Sequence, residues 1–95
     1  MNTYQNNSHS NRYIRLTSFY TACFLFAKGL ELVNVEKDPD NPKRCQFVFR
    51  DTPERETLIQ NYNFAKEDAP EVLLDVRKFV VAIKTLKDKL YQERF

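Results

Sequence analysis

The stretch ELVNVEKDPDNPKRCQFVFR, residues 31–50, decides the fold. In its second half Cys45, Phe47 and Phe49 alternate with Gln46, Val48 and Arg50. Successive side chains of a strand point to opposite faces, so this pattern predicts a half-buried strand with its aromatic side inward. In the first half, Glu31 to Lys37, Leu32, Val33 and Val35 are interleaved with Asn34 and Glu36; this reads as a second strand whose inward face is ambiguous. Between the two lies Asp38-Pro39-Asp40-Asn41-Pro42, built from turn-forming residue types. The pair predicts an antiparallel hairpin with a longer loop. A lone hairpin is not stable in water, so helices must cover it.

Upstream, Thr17 or Ser18 is suited to cap a helix that runs to Lys28, and Gly29 falls where a left-handed residue ends a helix. Phe19, Ala22, Cys23, Phe26 and Ala27 share one helical face, Leu30 extends it, and Tyr20 and Phe24 widen it to about 200°, against about 100° for an ordinary surface helix. Such an arc implies either burial on two sides or an interface. Residues 1–12 are polar and predict a disordered tail.

Downstream, Asp51-Thr52-Pro53-Glu54 reads as a helix start, with Thr52 as cap, Pro53 in the first position and Glu54 at the positive end of the dipole. Leu58, Ile59, Tyr62 and Ala65 line its inner face, and the helix ends near Phe64. After a polar break at Lys66 to Pro70, Val72-Leu73-Leu74 reads either as a short third strand or as an apolar plug. Asp75 caps the last helix, where Val76, Phe79, Val80, Ile83, Leu86, Leu90 and Tyr91 recur at helical spacing. The reading is an α+β single domain over residues 13–95, in the order α-β-β-α-(β)-α, with the hairpin packed against three helices. Phe19, Cys23, Phe26, Phe47, Phe49 and Leu58 form its expected core together with Tyr62, Phe79, Val80, Ile83, Leu86 and Leu90.

Ninety-five residues make one domain, and 42% hydrophobic content with eight Phe is enough for a core. One Gly and four Pro argue against a many-turned sandwich or barrel. The longest apolar run, Phe19 to Ala27, is about half of the roughly 20 residues that cross a bilayer, and no signal peptide is visible. Cys23 and Cys45 each sit in an apolar pattern and read as buried thiols. The expected setting is the cytoplasm.

A capped helix ending in Lys28-Gly29, the Phe47-Val48-Phe49 strand, an acidic helix with Tyr62, and Asp75 leading into Phe79, Ala82, Leu86-Lys87 and Leu90-Tyr91 follow one another in this order. The arrangement resembles a domain-of-unknown-function family of short uncharacterised bacterial and phage domains, over about Thr17 to Tyr91. The resemblance implies the element order and a prokaryotic or phage setting; it carries over no functional residue. It departs at Cys23, where such helices more often carry Ala.

No enzyme is expected. The single histidine, His9, lies in the tail, neither cysteine has a histidine partner on a folded element, and Glu54 and Glu56 sit in a first helical turn where they complement the dipole. One glycine cannot build a phosphate cradle, and no metal or cofactor is implied. Two binding readings remain. The first is contact with an unknown protein or with a second copy, through Tyr20, Phe24 and Leu25 of the first helix. Val81 and Phe64 also look exposed, and the hairpin has open edges. The second is nucleic acid along the basic face of the last helix, at Arg77, Lys78, Lys84 and Lys89. That helix is also amphipathic enough for a membrane surface, but the hairpin needs its apolar face.

Overall fold

The computed structural model describes residues 12–94, with side chains through Gln92; residues 1–11 of the expected tail lie outside them, whereas Arg12, its last residue, accepts the Asp51 N–H at its carbonyl at 3.0 Å. Three strands and three helices follow in the order β1 (Tyr13–Leu16), α1 (Phe19–Ala27), β2 (Leu32–Asp38), β3 (Asn41–Arg50), α2 (Arg55–Phe64) and α3 (Val76–Arg94). The α+β class, the presence of the hairpin and the existence and order of the three helices are as the sequence reads. The third strand is not Val72–Leu74. It is Tyr13–Leu16, which pairs antiparallel with β3 and gives the sheet order β1-β3-β2. Residues Pro70–Val72 instead close a single 3₁₀ turn: Pro70 has no N–H to offer a ladder, and Leu73 is 58% exposed.

Register explains the two faces of the sheet. Ile14, Phe49 and Leu32 lie abreast, as do Leu16, Phe47 and Val35, and these point toward the helices. Val48 faces the other way yet is only 3% exposed. Arg15 and Glu36, from the strands on either side of it, form an ion pair at 2.8 Å on that outer face. Arg50 pairs with Glu31 at 3.0 Å and lies over the Tyr13 ring. Exposed pairs of this kind contribute at most about 1 kcal/mol each.

The hairpin loop is shorter than the sequence suggests. Asp38 and Asn41 are direct partners across a two-residue turn, and the Asp40 N–H donates to Asp38 Oδ1 at 2.9 Å. The additional residues lie instead in a bulge of β3: partners step from Lys37↔Cys45 to Asp38↔Asn41, leaving Pro42, Lys43 and Arg44 unmatched. Proline cannot serve a ladder, so the bulge falls where Pro42 stands.

Helix α1 carries no charge and has Thr21 through Leu25 all buried. Its wide apolar arc is therefore core: the helix is enclosed by α3, the sheet and α2, whose Tyr62 ring meets Phe24 at 5.1 Å. It ends in a Schellman motif. The Gly29 N–H donates to the Phe26 carbonyl and the Leu30 N–H to that of Leu25, with Gly29 at φ 106° and Leu30 packed into the core. Nothing lies within 4 Å of where a Gly29 Cβ would stand, so backbone conformation, not space, requires glycine.

Helix α2 starts differently from the expectation. Thr52 Oγ1 is buried and meets no partner among the described residues. Asp51, 5% exposed, holds the start instead: it accepts the Thr52 N–H at 2.9 Å and the Arg55 guanidinium at 3.1 and 3.2 Å. The long α3 begins as expected, with the Arg77 N–H donating to Asp75 Oδ1 at 2.8 Å. Arg77 also holds the exposed Asp75 carboxyl below its ordinary range, chiefly through side-chain hydrogen bonds. Of the expected core residues, Cys23, Phe47, Phe49 and Leu86 are buried, while Phe19, Phe26, Leu58, Tyr62, Phe79, Ile83 and Leu90 pack half-buried against them and Val80 turns outward, 42% exposed; the buried core also takes in Ala22, Phe24, Leu25, Leu30, Val35 and Ala82.

Candidate functional site

Of the three residues expected at a protein interface, Phe24 and Leu25 are buried at 2% and 0% exposure, and Tyr20 alone reaches the surface. This corrects the interface assignment: an uncharged helix at the centre of a small domain is consumed by its own core. Phe64 and Val81 are exposed, as the sequence suggests.

Arg77, Lys78, Lys84 and Lys89 all lie on exposed positions of α3. At about 100° per residue they divide between two azimuths: Arg77 with Lys84, and Lys78 with Lys89 about 100–120° away. Asp88 falls beside the first pair, Arg77 is tied to Asp75, and Lys89 lies beside Leu32–Val35 of β2. The structure does not gather these cations into one strip.

Two concavities stand out instead. One is a cleft of about 460 Å³ between α2 and α3, floored by Phe24, Tyr62 and Phe79 and closed by Val72, Leu73 and Leu74. Val76, 71% exposed, forms one lip, and Lys66 and Glu67 stand at the rim. The Ala69 N–H bonds the Lys66 carbonyl and Asp68 takes φ 65°, which folds the α2–α3 connection back toward the cleft. Sequence reading named Val72–Leu74 an apolar plug as one alternative, but the pattern gave no sign that Leu73 would remain outside.

The second is an open groove of about 320 Å³ where the N-terminal end of α1 meets the C-terminal end of α3. Tyr20 and Tyr91 stand in it at 56% and 51% exposure, with Lys43, Arg44 and Lys87. Tyr20 is braced edge-on by Phe19 at 5.2 Å, and Phe19 by the core ring of Phe47 at 5.9 Å. Cys45 forms part of the wall. No single-element pattern announces this site, because it joins three elements and depends on the β3 bulge.

Both cysteines are free; Cys23 is buried as the sequence reads, but Cys45, in the groove wall, is only half-buried. Burial pushes the Cys23 thiol up to about 11, the nearby Lys87 offsetting only part of that. Among the described residues no group of His, Cys, Asp or Glu is arranged to hold a metal ion, and no helix is long and apolar enough to cross a membrane.

Neither a curated protein nor a solved structure matches the chain. A family described as a domain of unknown function, DUF5659, matches residues 11–92. The match takes in β1 as well as every element identified from the sequence. The chain belongs to the DUF5659 family of domains of unknown function.

Proposed function

We propose that this domain is a non-catalytic binding module that receives apolar side chains of another protein chain in the cleft between α2 and α3, a second copy of the domain being the first candidate. One observation carries the reading: the cleft is apolar in its floor and walls, while Leu73 and Val76 at its mouth are 58% and 71% exposed. A concave site that can seat one or two bulky side chains is where binding energy concentrates in protein interfaces. Phe64 extends the apolar surface at the end of α2, 75% exposed. The non-catalytic part rests on the residues of the cleft, whose only charged groups among the described residues are Lys66 and Glu67 at the rim. The setting we propose is the cytoplasm of a bacterium or a phage-infected cell, in line with the sequence resemblance; two free thiols suit a reducing compartment.

Light scattering across a wide concentration range tests this. The reading expects mass to rise toward a dimer for the wild type and to stay monomeric for Val76→Asp. A wild type that remains monomeric throughout removes the second copy as the occupant. Equal association of both proteins removes the cleft.

A further inference from the structure

The groove formed by Lys43, Arg44, Lys87, Tyr20 and Tyr91 lies apart from the α2–α3 cleft, and we infer that it binds a short run of single-stranded nucleic acid. Phosphates lie against the three cations, and bases stack on the two tyrosine rings. Three observations lead there. First, among the described residues the groove's charge is all of one sign: no carboxylate of theirs lines it, and Lys43, Arg44 and Lys87 form no ion pair with them. Second, Lys43 and Arg44 stand there because of a bulge, with Pro42, Lys43 and Arg44 unmatched opposite β2. Bulges re-aim side chains beside functional sites. Third, half-exposed tyrosines in a cationic groove are what sequence-tolerant single-strand binders use, because every base has a face to stack.

The alternatives fit less well. A duplex presents regularly spaced phosphates to a continuous basic surface, whereas the cations of α3 divide between two azimuths with Asp88 between Lys84 and Lys89 in the chain. An acidic peptide would use the cations but has no need of two exposed rings. The tyrosine held by the Phe19–Phe47 ladder is pre-positioned, which lowers the ordering cost of a stacking partner.

The test is fluorescence anisotropy of the full chain with a labelled oligo-dT of about 12 nucleotides, within the range one small site covers. A duplex of equal length and a poly-glutamate peptide run in parallel. Three phosphate contacts give a salt slope of about −2, so affinity should fall roughly twentyfold between 50 and 200 mM salt. Tyr20→Ala and Tyr91→Ala should each weaken binding about 5- to 150-fold. Lys87→Glu should weaken it and flatten the salt slope. The cleft variant Val76→Asp should leave it unchanged, which separates this inference from the protein-binding reading.

A readout on the wild type avoids variants altogether. With Cys23 buried and its thiol at about 11, an alkylating reagent reports on Cys45 in the groove wall. Saturating oligo-dT should abolish Cys45 labelling. The inference is overturned if oligo-dT fails to bind at 50 mM salt or if Cys45 still labels freely at saturation. It is equally overturned if the duplex or poly-glutamate binds more tightly, or if both tyrosine variants bind like the wild type.

Discussion

Replacing Phe47 by alanine should come close to unfolding the domain. Phe47 is 2% exposed, lies opposite Leu16 on one side and Val35 on the other, and meets the Phe19 ring at 5.9 Å. Burying the ring contributes about 1.5–3 kcal/mol by transfer alone. The lost edge-on partner adds about 0.5–1.5 kcal/mol. With the cavity left in the middle of the central strand, the total is about 3–5 kcal/mol. A domain of this size has a margin of about 5–15 kcal/mol in all. Each kcal/mol moves its melting temperature by about 4–8 °C, so the midpoint should fall by at least about 12 °C. Thermal unfolding followed by circular dichroism, with urea titration as a second probe, measures this. Val80→Ala is the control: its side chain is 42% exposed, and the change should stay within about 0.5 kcal/mol. A Phe47→Ala shift below about 4 °C, or one no larger than that of Val80→Ala, would refute the assignment of the inner face.

Gly29→Ala should cost about 1–2 kcal/mol, although the site has room for a methyl group, because φ 106° is a conformation that alanine resists; urea midpoints for the two proteins decide it. Thr52→Val should be neutral or stabilise by about 1 kcal/mol, since it removes a buried oxygen with no partner among the described residues, whereas a true capping role would make it cost about 0.5–2 kcal/mol. Asp51→Ala should cost about 2–4 kcal/mol by stranding the Arg55 guanidinium and the start of α2, read by the same titration. The Cys23 thiol is raised in the folded state from 9 to about 11, so its unfolded form ionises first. Stability is fully present below pH 9 and is lost as pH rises toward 11. The loss amounts to about 2–3 kcal/mol and should be absent in Cys23→Ala.

The hairpin was legible because Cys45, Phe47 and Phe49 alternate strictly, and α3 because its apolar residues keep helical spacing over several turns. Strand β1 was not, since the four residues Tyr13–Leu16 are too few to establish a period and owe their conformation to pairing with Phe47–Arg50. Pro53 and Glu54 make Thr52 look like the cap, but the buried carboxylate one residue earlier accepts two N–H groups of the Arg55 guanidinium and prevails. The breadth of the α1 arc is plain in the sequence and admits two meanings; only tertiary packing around Phe24 and Leu25 selects burial. Candidate sites were the least legible part. The groove needs Lys43 and Arg44 turned by a bulge toward Tyr20 and Tyr91, and the cleft needs Leu73 left outside by a 3₁₀ turn, neither of which a linear period encodes.

The protein-binding reading is tested most directly by amide NMR spectra recorded through a dilution series of the wild type. Our account expects concentration-dependent shifts concentrated at Tyr62, Phe64, Leu73 and Val76, around the cleft, with the outer face of the sheet at Arg15, Glu36 and Val48 unchanged. Shifts confined to that outer face or to the β2 edge, or spectra identical at every concentration, would contradict it.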